Sequence, residues 1–352
     1  MHHQSNTQSD YFEMEHKLKC YVDKGTVAVG MQSMKEPESI VRPDAKLLRP
    51  LRKVKEYKGS FIAVDCSTRT LKRANNWGIY LMRSAYATVK NRAVDWGFEE
   101  RICTAVGDPH GRSNYLKDVR IELESHMALK LLESETGSYY DHTNPGESRS
   151  KSAKCNGLGD YLLLDGGGYF GGERKFRVSL YDKCEKIGMN LLAISKNSPT
   201  LHDEKGRDFM ASVQAITHDE LWYYHPVRRA DKDRSLYGDI SVVKLCAESP
   251  YVFRCDVMDY LTQQDICELL SPLTSVSEDP RCIGYPISLF LAHDFSEPSD
   301  SMLLAYNDQI EQKLSEAGLL ESLRREERSC SFSDQLHGVK HAFDWEWWDD
   351  QY

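Results

Sequence analysis

The stretch Phe61-Ile62-Ala63-Val64-Asp65, followed by Cys66-Ser67, decides how this chain is interpreted. A second stretch, Tyr161-Leu162-Leu163-Leu164-Asp165, has the same form and leads into Gly166-Gly167-Gly168. A short apolar run bounded by turn-forming residues is typical of a buried strand. An aspartate at the carboxyl end of such a strand lies where open α/β sheets bind their ligands. The two stretches therefore predict two strand ends that bring Asp65 and Asp165 together around a divalent cation or a phosphate.

The clearest helix is predicted from Asn114 to about Glu133, where apolar residues recur at three- and four-residue spacing. Arg120 and Glu124 fall within or beside this apolar stripe, whereas Glu122 falls on the opposite face. A charged pair on the packed side of a helix is costly unless it is paired or bound to a metal. Glu124 is therefore a candidate ligand, although an ion pair at the edge of the stripe explains the pattern equally well.

Three further segments place candidate residues. Ile79–Val89 is rich in strand formers and is predicted to pair antiparallel with the first strand. A helix from Phe176 to Ile187 and a strand from Met189 to Ile194 follow Asp165, which predicts a parallel pair of strands and places Lys196 after the second one. The apolar run 286–292 ends at His293.

The amino-acid composition limits which classes of protein this chain can belong to. The chain has 352 residues, of which 40% are hydrophobic and 28% charged, as expected of a globular protein. No run approaches the ~20 apolar residues of a membrane span, and the N-terminus has no secretion signal, so the expected location is the cytoplasm. The ten cysteines form no C-x₂-C pair, which argues against a structural metal cluster.

The formal charge of −9 argues against a protein that coats DNA non-specifically. An acidic enzyme can still concentrate positive charge in one cleft, and local basic residues are candidates for this role. Each can equally be a solvated surface charge. The candidates for contact with DNA are Arg69, Lys72, Arg73, Arg120, Arg228 and Arg229.

On one α/β architecture, Asp65, Glu124 and Asp165 converge with His293 and Lys196. Three carboxylates with little compensating positive charge repel one another, so we expect a hard cation, Mn²⁺ or Mg²⁺, among them. Lys196 is expected to neutralise charge that develops on a phosphoryl group during hydrolysis. Each residue also has an ordinary structural explanation, such as a turn aspartate, a surface lysine or a core histidine.

The order of these motifs resembles NurA-type nucleases over residues 58 to about 300. The motifs that carry the resemblance are Ile62-Ala63-Val64-Asp65-Cys66-Ser67, Arg120-x-x-x-Glu124, Leu163-Leu164-Asp165-Gly166, Ala193-Ile194-Ser195-Lys196 and Tyr285-Pro286 with Leu291-Ala292-His293. The chain departs from the family at Cys66, where a glycine is usual, at Gly167-Gly168, and by the long segment 134–160.

The resemblance implies an α/β fold with an RNase H-like core, a mixed central sheet flanked by helices, and a C-terminal helical extension. It divides the chain into an N-terminal extension (1–57), a nuclease domain (58–300, with loop 134–160) and a C-terminal helix with an acidic aromatic tail (301–352). It further implies a homodimer that degrades DNA ends in the 5′→3′ direction and cleaves single strands with Mn²⁺ or Mg²⁺. The family works with a hexameric HerA-type ATPase in archaeal double-strand-break end resection. Carried over by position, Asp65, Glu124, Asp165 and His293 resemble metal ligands, and Lys196 resembles a residue near the phosphate.

Two other interpretations stay open at the level of sequence. An actin-like phosphotransferase also has an aspartate before a Ser/Thr loop, and Asp165-Gly166-Gly167-Gly168 suits nucleotide phosphates. Alternatively, the chain is a non-catalytic partner of a translocase that keeps the fold and has lost the site.

Overall fold

The computed structural model describes residues 4–24, 39–133, 159–170, 175–198, 200–217 and 220–336. Nearly all of the predicted loop 134–160 and the whole aromatic tail lie outside these residues. The described helices are α1 Gln4–Lys24, α2 Pro109–Glu133, α3 Lys175–Ile187, α4 Phe209–Gln214, α5 Ile266–Leu270, α6 Ile287–Ser296, α7 Asp300–Glu316 and α8 Leu320–Leu336. The described strands are β1 Ser39–Ile40, β2 Leu48–Pro50, β3 Phe61–Arg73, β4 Trp77–Lys90, β5 Ala93–Val106, β6 Tyr161–Asp165, β7 Asn190–Ser195, β8 Leu201–His202, β9 Trp222–Arg228, β10 Gly238–Lys244 and β11 Phe253–Met258.

A mixed nine-stranded sheet organises the chain, in the order β2-β9-β10-β11-β7-β6-β3-β4-β5. The pairs β3–β6 and β6–β7 are parallel, and the other neighbours in this sheet are antiparallel. The predicted antiparallel pairing of β4 with the first strand and the predicted parallel pair after Asp165 are both confirmed. The α/β class with a mixed central sheet flanked by helices is confirmed as well.

The first strand does not end at Asp65. β3 continues to Arg73 and pairs with β4 over almost its whole length, so Asp65 lies in the middle of the strand. Cys66 and Ser67 were expected to form a turn because they are small. The β-branched Thr68 and Thr70 beyond them suit a strand, and pairing with β4 carries the extended backbone past the small residues.

Asp65 nevertheless lies at the end of a neighbouring strand. The parallel register of β3 with β6 ends at the pair Val64–Leu164. Asp65 and Asp165 are the next residues on their strands, and Asp165 is the last residue of β6. The two carboxylates therefore stand at the same level of the sheet, as the sequence predicts, although only one strand stops there.

The terminal helices share one hydrophobic cluster with the sheet. Met14 and Leu18 of α1, Trp77 of β4, Ile310 of α7 and Leu323 of α8 are all buried in it. α7 and α8 are separate helices, because Gly318 adopts a left-handed φ of 71° after α7. None of the helices in the described residues is long and apolar enough to cross a membrane.

Candidate functional site

Asp65 and His293 form the closest pair of candidate residues. α6 starts after Pro286 and runs to Ser296, so His293 lies in its last turn, where Nδ1 is 2.8 Å from Asp65 Oδ2. The Cys66 backbone N–H donates to the other carboxylate oxygen at 2.8 Å. Burial alone would raise the pKa of Asp65, but the hydrogen bond from His293 and the charge of Arg120 hold it below its ordinary value. The hydrogen bond to Asp65 raises the pKa of His293.

Glu124 is buried on α2, as its place beside the apolar stripe predicts, with an exposed fraction of 7%. Arg177 of α3 lies 3.3 Å from one of its oxygens, and Arg120 lies 3.5 Å from the other. Burial raises the pKa of Glu124 to about 7, although both arginines act to lower it. Glu122, predicted to be solvated, is partly exposed.

Glu124 and His293 reach β3 from opposite sides. Side chains alternate along a strand, so Cys66 points away from the face that Asp65 shares with His293. Cys66 packs in a cluster with Leu116 of α2, the helix that carries Glu124. The Asp65 charge still contributes to the raised pKa of Glu124, so the two carboxylates lie within electrostatic range.

Asp165 and Lys196 form a third pair. Lys196 follows β7, and its Nζ lies 3.3 Å from Asp165 Oδ2. About half of the lysine side chain and about a third of the aspartate side chain are accessible, which leaves this pair more open than the other two. The ion pair connects the ends of two neighbouring parallel strands.

Tyr285 is a candidate that the sequence interpretation left out of the site. It precedes α6 and is 8% exposed. Burial, the charges of Asp165 and Asp65, and a hydrogen bond to Asp165 raise the pKa of Tyr285, so its hydroxyl lies beside the Asp165 carboxylate. The Lys196 ammonium lies 5.7 Å from its ring centroid. The only signal in the sequence was its place in the Tyr-Pro motif before α6.

The expectation that the carboxylates lack compensating charge is wrong. Asp65 is paired with His293, Glu124 with two arginines and Asp165 with Lys196. The donor types, three carboxylates and an imidazole, suit Mn²⁺ or Mg²⁺. Within the described ranges, however, no three His, Cys, Asp or Glu side chains are close enough to hold one ion as arranged. A cation held by three of these residues therefore requires their side chains to move closer together.

The basic residues proposed to contact DNA are mostly engaged in ion pairs. Arg69 pairs with Glu297, and Lys72 pairs with Glu311 of α7. Arg73 also has an interaction partner. The two arginines at the end of β9 lie far from Asp65, because four strands of the sheet separate β9 from β3, a lateral distance of about 24 Å. Of this group, only Arg120 lies beside a candidate carboxylate.

The glycines after Asp165 are explained by packing. Gly166 has a φ of 108°, a conformation that other residues rarely adopt. A Cβ on Gly167 would lie 3.1 Å from Arg254 Nη2, and a Cβ on Gly168 would lie 3.1 Å from Asp256 Cβ. The Gly168 N–H already donates to Asp256, so it is not free to bind a nucleotide phosphate. This geometry does not favour the phosphotransferase interpretation.

Comparison with solved structures identifies the type of fold. No family model and no curated protein matches this sequence. The crystal structure of the NurA nuclease from Sulfolobus solfataricus aligns with a TM-score of 0.52 and 14% identity, covering 90% of this chain and 98% of that one. A second NurA structure aligns with a TM-score of 0.48 and 10% identity over 83% of this chain and 93% of its own. A NurA structure bound to dAMP and manganese aligns with a TM-score of 0.46 and 10% identity over 84% and 93%.

The chain therefore belongs structurally to the mixed α/β proteins with a long central sheet. Within that class it has a NurA-type fold, which confirms the resemblance drawn from the order of the motifs. At 14% identity the likeness concerns the fold, and function has to be argued from the side chains.

Proposed function

We propose that this protein is a metal-dependent deoxyribonuclease that hydrolyses phosphodiester bonds. The observation that carries the proposal is the meeting of Asp65, Asp165, His293 and Lys196 at one level of the sheet, with Glu124 within electrostatic range. These residues come from three neighbouring strands or strand ends and from two helices that pack on them. The NurA-type fold supports the same reaction class by analogy.

In this proposal, Asp65, Glu124, Asp165 and His293 hold Mn²⁺ or Mg²⁺. When bound, such an ion polarises a phosphoryl oxygen and lowers the pKa of an attacking water. A cation that enters takes the place of the basic partners as the source of positive charge. Both arrangements keep the buried carboxylates compensated, which makes the exchange feasible.

The remaining chemistry falls to the other side chains of the site. Lys196 is half-exposed beside Asp165, so it can approach a phosphate and neutralise charge that develops in the transition state. The Tyr285 hydroxyl, buried beside Asp165, is a hydrogen-bond donor that a substrate oxygen can use. With Nδ1 turned to Asp65, His293 keeps Nε2 for a cation, as metal-binding histidines that donate their other N–H to a carboxylate do.

The finer assignment follows from the resemblance alone. It comprises 5′→3′ exonuclease and single-strand endonuclease activity, a homodimer, and work with a HerA-type hexameric ATPase in double-strand-break end resection. Light scattering tests the dimer. Adding such an ATPase to the nuclease reaction tests the partnership. If the two proteins work together, long duplexes should be degraded faster, and this acceleration should depend on ATP.

Degradation of end-labelled linear DNA tests the proposal itself. With Mn²⁺ we expect nucleotides to be released from a 5′ label first, and with EDTA we expect no release. Loss of the label from the 3′ end first would contradict the polarity. An absence of cleavage by a protein that still binds Mn²⁺ would favour the non-catalytic translocase partner.

A further inference from the structure

A buried ion pair on β11 lies next to the candidate site without contributing a ligand to it. Arg254 and Asp256 have exposed fractions of 2% and 0%. Arg254 Nε donates to Asp256 Oδ1 at 2.8 Å, and its Nη2 donates to Oδ2 at 2.7 Å. Burying two charges is costly, and an apolar pair of the same volume is often equally stable or more so. The pair therefore calls for an explanation other than stability.

The carboxylate of this pair holds the backbone that follows Asp165. Asp256 Oδ2 accepts the Gly168 N–H at 2.7 Å, and the Tyr237 N–H donates to the Gly168 carbonyl at 2.9 Å. Gly168 is thus held at both of its backbone groups. The Gly166 N–H donates to the Ile194 carbonyl of β7 at 3.0 Å. These bonds fasten Gly166 and Gly168 to Asp256 and to the backbone of Ile194 and Tyr237.

The guanidinium of the same pair holds the segment that follows Lys196. Arg254 Nη1 donates to Ser198 Oγ at 3.2 Å, and Ser198 is 2% exposed. Arg254 also lies against Gly167, where the absence of a Cβ gives the guanidinium its space. One ion pair therefore contacts both loops, the one after β6 and the one after β7.

We propose that Arg254 and Asp256 are positioning residues that fix Asp165 and Lys196 relative to each other. Asp165 and Lys196 form the most exposed of the candidate pairs, so their own contact does little to fix them. A rigid support behind both loops supplies the precision that a ligand and a cationic side chain need. This inference rests on the proposed nuclease function and assigns a task to two residues that touch neither metal nor substrate.

The test compares two buried aspartates on neighbouring strands. Asp239 of β10 is 3% exposed, accepts a backbone N–H from Ala230 at 2.8 Å and pairs with Arg229, but its contacts do not reach Asp165 or Lys196. Asp256→Asn and Asp239→Asn therefore remove equivalent charges. We expect Asp256→Asn to weaken Mn²⁺ binding, measured by calorimetry with the metal alone, by about 10- to 100-fold. We expect Asp239→Asn to bind Mn²⁺ as the wild type does, whatever its melting temperature.

Gly167→Ala keeps the inference testable if Asp256→Asn does not fold. Its added Cβ pushes on Arg254 and leaves the charges of the pair in place, so we expect a reduced kcat with little change in KM. Unchanged Mn²⁺ affinity and kcat in whichever variant folds, with an active wild type, would overturn the positioning role alone. A wild type that neither binds Mn²⁺ nor cleaves DNA would instead overturn the proposed function.

Discussion

Replacing Tyr285 by phenylalanine separates the chemistry of the candidate site from its stability. The substitution removes one hydroxyl and keeps the ring, which packs against Phe253 with centroids 5.2 Å apart. The hydroxyl lies beside Asp165, whose side chain is about a third exposed. A hydrogen bond contributes about 1 kcal/mol net, and water can replace the lost hydroxyl at this partly exposed carboxylate, so stability should change by no more than about 1 kcal/mol. We expect the melting temperature to change by no more than about 3 °C.

Activity should change much more than stability. If the hydroxyl donates to a substrate oxygen in the transition state, its loss should lower kcat by about 10²-fold, as for other donors of this kind. That reduction corresponds to about 2.7 kcal/mol of barrier. The assay is release of nucleotides from end-labelled DNA with saturating Mn²⁺, beside a thermal melt of the same preparation.

Tyr161→Phe is the matched control. Tyr161 is also buried, but its hydroxyl donates to the Leu269 carbonyl at 2.8 Å, so its loss leaves that carbonyl unsatisfied. We expect this variant to be destabilised by about 1–2 kcal/mol while its kcat stays close to that of the wild type. Full activity of Tyr285→Phe would refute the catalytic use of the hydroxyl. A fall of more than about 3 °C in its melting temperature would show that the hydroxyl has a mainly structural role.

Three further predictions concern charge. Glu124→Gln should lower nuclease activity by at least about 10²-fold, because Glu124 is a buried proposed ligand. Glu122→Gln on the same helix should have a mild effect. Equal losses of nuclease activity in the two variants would reject the assignment of Glu124. The pKa of Glu124 is raised to about 7, so the folded protein binds a proton at this group more tightly than the unfolded chain does. The contribution of this group to the free energy of unfolding is therefore complete below about pH 4.5 and is lost as the pH rises through about 7. Denaturant melts of metal-free protein between pH 4.5 and 8 should show this slope, and a slope that persists in Glu124→Gln would assign it to another group. Cleavage should slow steeply between 50 and 200 mM salt if phosphate contacts dominate binding, and rates independent of salt would contradict this.

Patterns local in sequence predicted much of the fold. The apolar runs at β3 and β6 and the stripe on α2 each need only a few neighbouring residues to be recognised. The left-handed Gly188 after α3 ends that helix where the sequence predicts. The continuation of β3 past Asp65 could not be predicted in this way, because it depends on pairing with β4 and not on Cys66 and Ser67 themselves.

The sequence predicted which candidate residues lie near one another better than it predicted their charge partners. Asp65, Asp165 and Lys196 follow from strand ends and register. Arg177 gave no signal, because it pairs with Glu124, a residue 53 positions away in the chain and on another helix. The support that Asp256 gives to Gly168 spans 88 residues and is equally invisible to local patterns.

Titration of the metal-free protein with Mn²⁺ tests the central claim most directly. Wild-type protein should bind the ion, and the Asp65→Asn/Asp165→Asn double variant, which stays folded in a thermal melt, should bind none and cleave no linear DNA. Retention of wild-type Mn²⁺ affinity and cleavage rate by a folded double variant would contradict the assignment of these two carboxylates as ligands of a nuclease centre.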